Sequence, residues 1–178
     1  YPSQMFMLTL LDVITEYTVG ELRDVLSYPL ILDADQKNRF IDQVMDRRLS
    51  VLWDIYNEPD LATLPINDND RLKEGWRLAY QRIKQRMPGA QIVGPSISRY
   101  RLLKPFLEWS QEHHVFPDVV AYHEYDDPSN APALVEDLRR YLHERGLTRP
   151  ISVNEILGQE SWTLAGYTVG VIAAYERA

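Results

Sequence analysis

Short apolar runs alternate along this chain with segments whose apolar residues recur every three or four positions. The run Met5 to Val13 (MFMLTLLDV) is nearly continuous, the pattern of a strand covered on both faces. Ser50 to Asn57, Gln91 to Gly94, Asp118 to Tyr122 and Ile151 to Asn154 read as further strands. Helical spacing fills the intervals. A loop with a short helix near Gly20 to Leu26 is followed by a helix capped by Asp33 or Asp35, carrying Phe40, Ile41, Val44 and Met45. Asn67 or Asp68 caps the clearest helix, where Leu72, Trp76, Ala79, Tyr80, Ile83 and Met87 share a face and Pro88-Gly89 stops the run. Leu102 to His113 predicts a helix interrupted or begun anew near Pro105. Asn130 and Pro132 open another, with Leu134, Leu138, Tyr141 and Leu142 on one face and Gly146 at its close. Ser161 to the chain end predicts a last helix.

Strands that alternate with amphipathic helices define an α/β fold with a parallel sheet. From Glu58 to Glu155 is 97 positions, spanning three strand-helix units. That is about 32 residues per unit, close to the roughly 31 of a (β/α)8 TIM barrel. A doubly wound sheet tolerates the same spacing. The barrel is preferred because polar residues gather at the C-terminal end of every strand: Asp12, Asn57-Glu58, Ser96, His123-Glu124-Tyr125 and Asn154-Glu155. Five strands fall short of eight, and an open arc would leave two unpaired edges. The expectation is one partial catalytic domain over residues 1–178, an incomplete barrel lacking strands at both ends.

Composition narrows the partners. At 178 residues, 45% hydrophobic and 25% charged, the chain reads as one ordinary globular domain. A net charge of −7 with no basic block argues against nucleic acid or an anionic membrane as partner. No cysteine is present, which excludes thiol chemistry, disulfides and cysteine-ligated metal. The chain opens on Tyr1 rather than Met, so a processed or truncated N-terminus is expected. Secreted or periplasmic placement is slightly favoured over cytoplasmic, and no protein partner is inferable.

The chemistry-bearing residues are Glu58, in Trp53-Asp-Ile-Tyr-Asn-Glu-Pro59, and Glu155, in Pro150-Ile-Ser-Val-Asn-Glu155. A carboxylate at the tip of a buried strand is costly to keep. Two in matching positions, each preceded by asparagine (Asn57 and Asn154), suggest a paired acid and nucleophile. Taken singly, either would read as a solvated rim charge. Pro59 should hold Glu58 extended at its strand tip. Asp54, inside a strand, reads as a structural hydrogen-bond partner, and Glu124 should point away from the site by strand alternation. Trp76 and Trp109 belong to the core. Other constellations fail. Gly94-Pro-Ser-Ile-Ser98 lacks the glycines of a nucleophile elbow. His113-His114 and His123 with Asp126-Asp127 match no metal spacing. Asn67 to Asp70 lacks the glycine and glutamate of a calcium loop. No cofactor and no metal are expected.

With these residues assembled, Trp53-Asp-Ile-Tyr-Asn-Glu-Pro59 resembles the strand-four signature of the clan A superfamily of retaining (β/α)8 glycoside hydrolases, in the manner of families 5 and 39. Pro150-Ile-Ser-Val-Asn-Glu155 is similar to its strand seven, and Ala121-Tyr-His-Glu-Tyr125 to its strand six. The resemblance runs from about Arg47 to Ala178, with Met5 to Val13 falling at strand three. It implies a glycosidase acting on β-linked carbohydrate by double displacement, with Glu58 as acid/base and Glu155 as nucleophile. It further implies that Asn57 bonds the sugar 2-hydroxyl, that Tyr125 holds Glu155, and that His123 contacts the sugar or the surroundings of Glu58. Trp162 follows the Glu155 strand and could stack on a sugar. His123 and Tyr125 also admit a plain core role. The strand-two arginine and strand-eight aromatic of the superfamily have no counterpart in the chain. The alternative is a non-catalytic, carbohydrate-binding or inactive truncated barrel.

Overall fold

The computed structural model describes residues 6–9, 46, 51–61, 70–125 and 130–156. In chain order these give β1 (Phe6–Thr9), β2 (Val51–Asp54), α1 (Asp70–Arg86), β3 (Gln91–Ile97), α2 (Leu103–Glu112), β4 (Val119–Glu124), α3 (Ala131–Glu144) and β5 (Ile151–Ile156). Short 3-10 turns at Pro59–Leu61 and Tyr100–Leu102 link them. The five strands form one sheet in the order β1-β2-β3-β4-β5, every pair parallel. Neighbours in sequence are neighbours in space, and helices cross between β2, β3, β4 and β5. This is α/β architecture, consistent with part of a (β/α)8 barrel. The expected helices before Ser50 and after Ser161, the caps at Asn67 or Asp68, and Trp162 lie outside the described residues.

The core sits between the sheet and the helices. Leu72, Trp76, Ala79 and Ile83 bury one stripe of α1 against Ile92 and Tyr56. Phe106 and Leu107 of α2, with Leu138, Tyr141 and Leu142 of α3, continue that layer over Val120 and Tyr122. Trp76 is its pivot: its Nε1–H donates to the Val115 carbonyl at 2.9 Å, and its ring meets Phe106 edge-on at 5.1 Å.

Element ends follow from local chemistry, with three corrections to expectation. The α2 helix runs through Pro105 without a break, because the proline stands in the first turn, where its missing N–H is not needed. Asn130 and Pro132 open α3 as expected, with Asn130 in the cap position, although its side chain makes no capping bond, and the proline in the first turn. Gly146, at φ +67°, closes α3 as expected, with Leu147 N–H returning to the Leu142 carbonyl at 2.9 Å. Strand β2 stops at Asp54 rather than Asn57. Its partner beyond Val93 carries Pro95, which has no N–H to offer the ladder. Strands β3, β4 and β5 instead run past their expected ends, to Ile97, Glu124 and Ile156.

Candidate active site

Three strand ends bring Glu58, His123, Tyr125 and Glu155 together. Glu58 lies four residues beyond β2, not at an extended strand tip. Its φ is +48°, in the left-handed region. Proline's steric effect disfavours the right-handed helical region for the preceding residue, and here the left-handed one is taken instead. Glu155 lies inside β5, paired with His123 of β4, rather than closing the strand. The two glutamates are therefore not in equivalent positions, yet their side chains converge. One oxygen of each and a ring nitrogen of His123 all lie within 4.8 Å of one another.

A chain of hydrogen bonds runs through this cluster. His123 Nδ1 lies 3.2 Å from Glu58 Oε1 and 3.2 Å from the Tyr125 hydroxyl. Tyr125 donates its one proton to Glu155 Oε2. The Tyr125–His123 contact then needs its proton from the imidazole, which assigns Nδ1–H as the donor shared between Tyr125 and Glu58. Burial, then the hydrogen bond to Glu155 and the charges of Glu58 and Glu155, pushes the Tyr125 phenol well above its ordinary value of 10.0. The phenol stays a donor throughout the range in which proteins work. The His123 side chain is 1% exposed, against 21% for Glu58 and 49% for Glu155. A buried imidazole thus backs two carboxyls that open to solvent. Asn57 precedes Glu58 and is partly buried, while Glu124 is buried.

Beneath this cluster lies a second network. Asp54 is buried and accepts Ser96 Oγ–H at 2.7 Å and Asn154 Nδ2–H at 3.2 Å. Asn154 also donates to Ser96 Oγ at 3.0 Å, and its Oδ1 accepts Ser152 Oγ–H at 2.5 Å. Ser96 is fully buried at φ +53°, and its carbonyl accepts the Glu58 N–H at 2.9 Å. Two left-handed, non-glycine residues are thus bonded to each other. Each conformation costs about 1 kcal/mol or more, and survives where its surroundings over-determine it. Asp60 supplies more of that constraint. It is buried, and it accepts Ser98 N–H, Ser98 Oγ–H and Arg99 N–H, each at 2.9 Å, tying the turn after Glu58 to the exit of β3. Sequence reading placed Ser96 on the polar rim without a role, and passed over Asp60. Their only signals were a serine and an aspartate in polar surroundings, common in any loop.

The described strands and helices are consistent with part of a (β/α)8 barrel, with two carboxyls converging at the ends of its strands. No protein-family model and no curated protein matches the chain. Solved structures do. The structure of N2152 from Neocallimastix frontalis is similar with a TM-score of 0.64 and 26% identity, over 74% of this chain and 34% of that one. A GH39 beta-xylosidase from Caulobacter crescentus is similar with a TM-score of 0.55 and 18% identity, over 89% of this chain and 36% of that one. The chain spans about a third of the length of either structure. Of the two families in the sequence resemblance, family 39 is named among these matches, and the family 5 likeness gains no support from them. Among the described residues no helix is long and apolar enough to cross a membrane.

Proposed function

We propose that this chain carries the two catalytic carboxyls of a retaining glycoside hydrolase acting on β-linked carbohydrate. Glu58 is the acid/base and Glu155 the nucleophile. The chain supplies strands three to seven of a barrel whose remaining strands belong to a longer protein. The observation that carries this reading is the approach of the glutamates, with oxygens inside 4.8 Å. Retaining pairs stand about 5–5.5 Å apart, whereas inverting pairs need about 6.5–9.5 Å to admit a water. Glu155, the more open of the two, attacks the anomeric carbon while Glu58 protonates the departing oxygen. Water then releases the sugar from Glu155, with Glu58 now acting as base. Asn57 bonds the 2-hydroxyl, and Trp162 offers a face for stacking.

The same three groups also have a spacing that a metal-dependent enzyme would use. The hydrogen bonds support the glycosidase: the imidazole nitrogen facing both carboxyls is already engaged by Glu58 and by the Tyr125 hydroxyl, which itself bonds Glu155. The test uses the full-length protein that contains this chain, with aryl β-glycosides, β-xylosides included. Glu155→Ala should lower turnover on the order of 10⁴-fold. Azide should then give the glycosyl azide of inverted configuration with Glu155→Ala, and of retained configuration with Glu58→Ala. Unimpaired turnover in Glu155→Ala would remove the proposal, and loss of wild-type activity on chelation would replace it with the metal reading.

A further inference from the structure

The network under the carboxyls has a feature that packing alone does not require. Both of its central residues are bulges. Along β3 and β4, Pro95 pairs with Ala121 and Ile97 with Tyr122, so Ser96 is the extra residue. Along β4 and β5, Tyr122 pairs with Val153 and His123 with Glu155, so Asn154 is the extra residue. Bulges re-aim side chains beside functional sites. These two lie on either side of β4, and their side chains meet at 3.0 Å, with Asp54 of β2 as the shared acceptor. The bulge at Asn154 also releases Asn154 and Glu155 from strict alternation, so both reach groups on other strands.

We infer that Ser96, Asp54 and Asn154 form a positioning unit that fixes the spacing of the two carboxyls. The inference rests on the function proposed above. One arm leads from the Ser96 carbonyl to the Glu58 backbone N–H. The other leads from Asn154 along the chain to Glu155. The Ser96 hydroxyl joins the arms, donating its one proton to Asp54 and accepting from Asn154. None of the three is a catalytic residue; each acts through a glutamate. Its contribution is to hold each carboxyl within a fraction of an ångström of its working place, where a misplacement of about 1 Å costs on the order of 10²-fold in rate.

Ser96→Gly in the full-length protein is the informative variant. Glycine accepts φ +53° without strain, so the backbone and its bond to Glu58 are kept while the hydroxyl is lost. The expected result is a native Tm, KM within about twofold of wild type, and kcat reduced on the order of 10–10²-fold. Asn154→Ala should match it, and the double variant should be no worse than either single one, as for residues that act as a unit. Crystal structures of the variants supply a readout independent of turnover: the Glu58 and Glu155 oxygens should move apart, or the Tyr125–Glu155 bond should open. Unmoved carboxyls, kcat within about twofold of wild type, or additive losses would overturn the inference. Should wild type hydrolyse no glycoside, the proposed function fails by itself, and the carboxyl positions in the variant crystals still decide the positioning role.

Discussion

Tyr125 has one proton and gives it to Glu155, while its oxygen accepts from His123. Removing the hydroxyl with Tyr125→Phe deletes both bonds and leaves the ring in place. A preorganised donor at a reacting group is worth on the order of 10²-fold in kcat, and KM should change far less. The pH–rate profile sharpens the test. The phenol is held above its ordinary range, so it does not titrate between neutral and mildly alkaline pH. The alkaline limb of the profile should therefore survive in Tyr125→Phe, and its loss would show that the phenol itself ionises during turnover. The four side chains that meet could be picked from sequence because acids and His-x-Tyr at the ends of apolar runs are chemically conspicuous. The backbone of Glu58 could not. The proline rule disfavours one region of conformation, and only the tertiary bond to the Ser96 carbonyl selects between those that remain.

At the scale of elements, Gly94 shows how tightly sheet and helix layers mesh. It has φ +143°, and a Cβ there would stand 2.7 Å from Trp76 Cη2 and 2.8 Å from Cζ3. The indole cannot retreat: it is fully buried, bonded to the Val115 carbonyl and packed on Phe106. Gly94→Ala thus combines overpacking with backbone strain, and should cost about 3 kcal/mol. Thermal unfolding should register a fall in Tm of roughly 6–12 °C; a change within error would mean that the strand shifts freely away from α1. The strands were legible because covered strands need apolar runs, and α1 because its apolar stripe recurs turn after turn. The bulges at Ser96 and Asn154 were not legible. A bulge is a difference in register between two strands, and no residue on one strand records it. Asn154 stands out in the sequence only because it precedes Glu155, but its side chain bonds Ser96 and Asp54, 58 and 100 positions away.

Across the whole molecule, polar staples fasten the layers at places the hydrophobic pattern does not specify. Lys84 of α1 joins Asp118 at 2.6 Å and the Ala90 carbonyl at 2.7 Å, at the end of the sheet away from the site. Between α2 and α3, Asp137 accepts Lys104 at 2.6 Å and faces the Tyr100 hydroxyl at 2.9 Å. The hydrogen bond from Lys104 is the largest influence holding the Asp137 carboxyl below its ordinary value of 3.8, with burial opposing it and Tyr100 and Arg140 assisting. A carboxyl depressed in the folded state adds stability above its unfolded pKa. That stability is lost as pH falls through the folded pKa. With Asp137 and Lys104 each about a third exposed, solvent screening limits the contribution to about 0.5–1 kcal/mol. Asp137→Asn should therefore lower unfolding stability by that amount at about pH 7, and by progressively less from about pH 4 downward as the wild-type carboxyl protonates. Urea unfolding of both proteins at each pH isolates the effect. The net charge of −7 makes acid act on the whole molecule, but that action is shared by both proteins and cancels in the difference. A difference that persisted unchanged at about pH 2 would assign the role of Asp137 to packing of its side chain rather than to its charge.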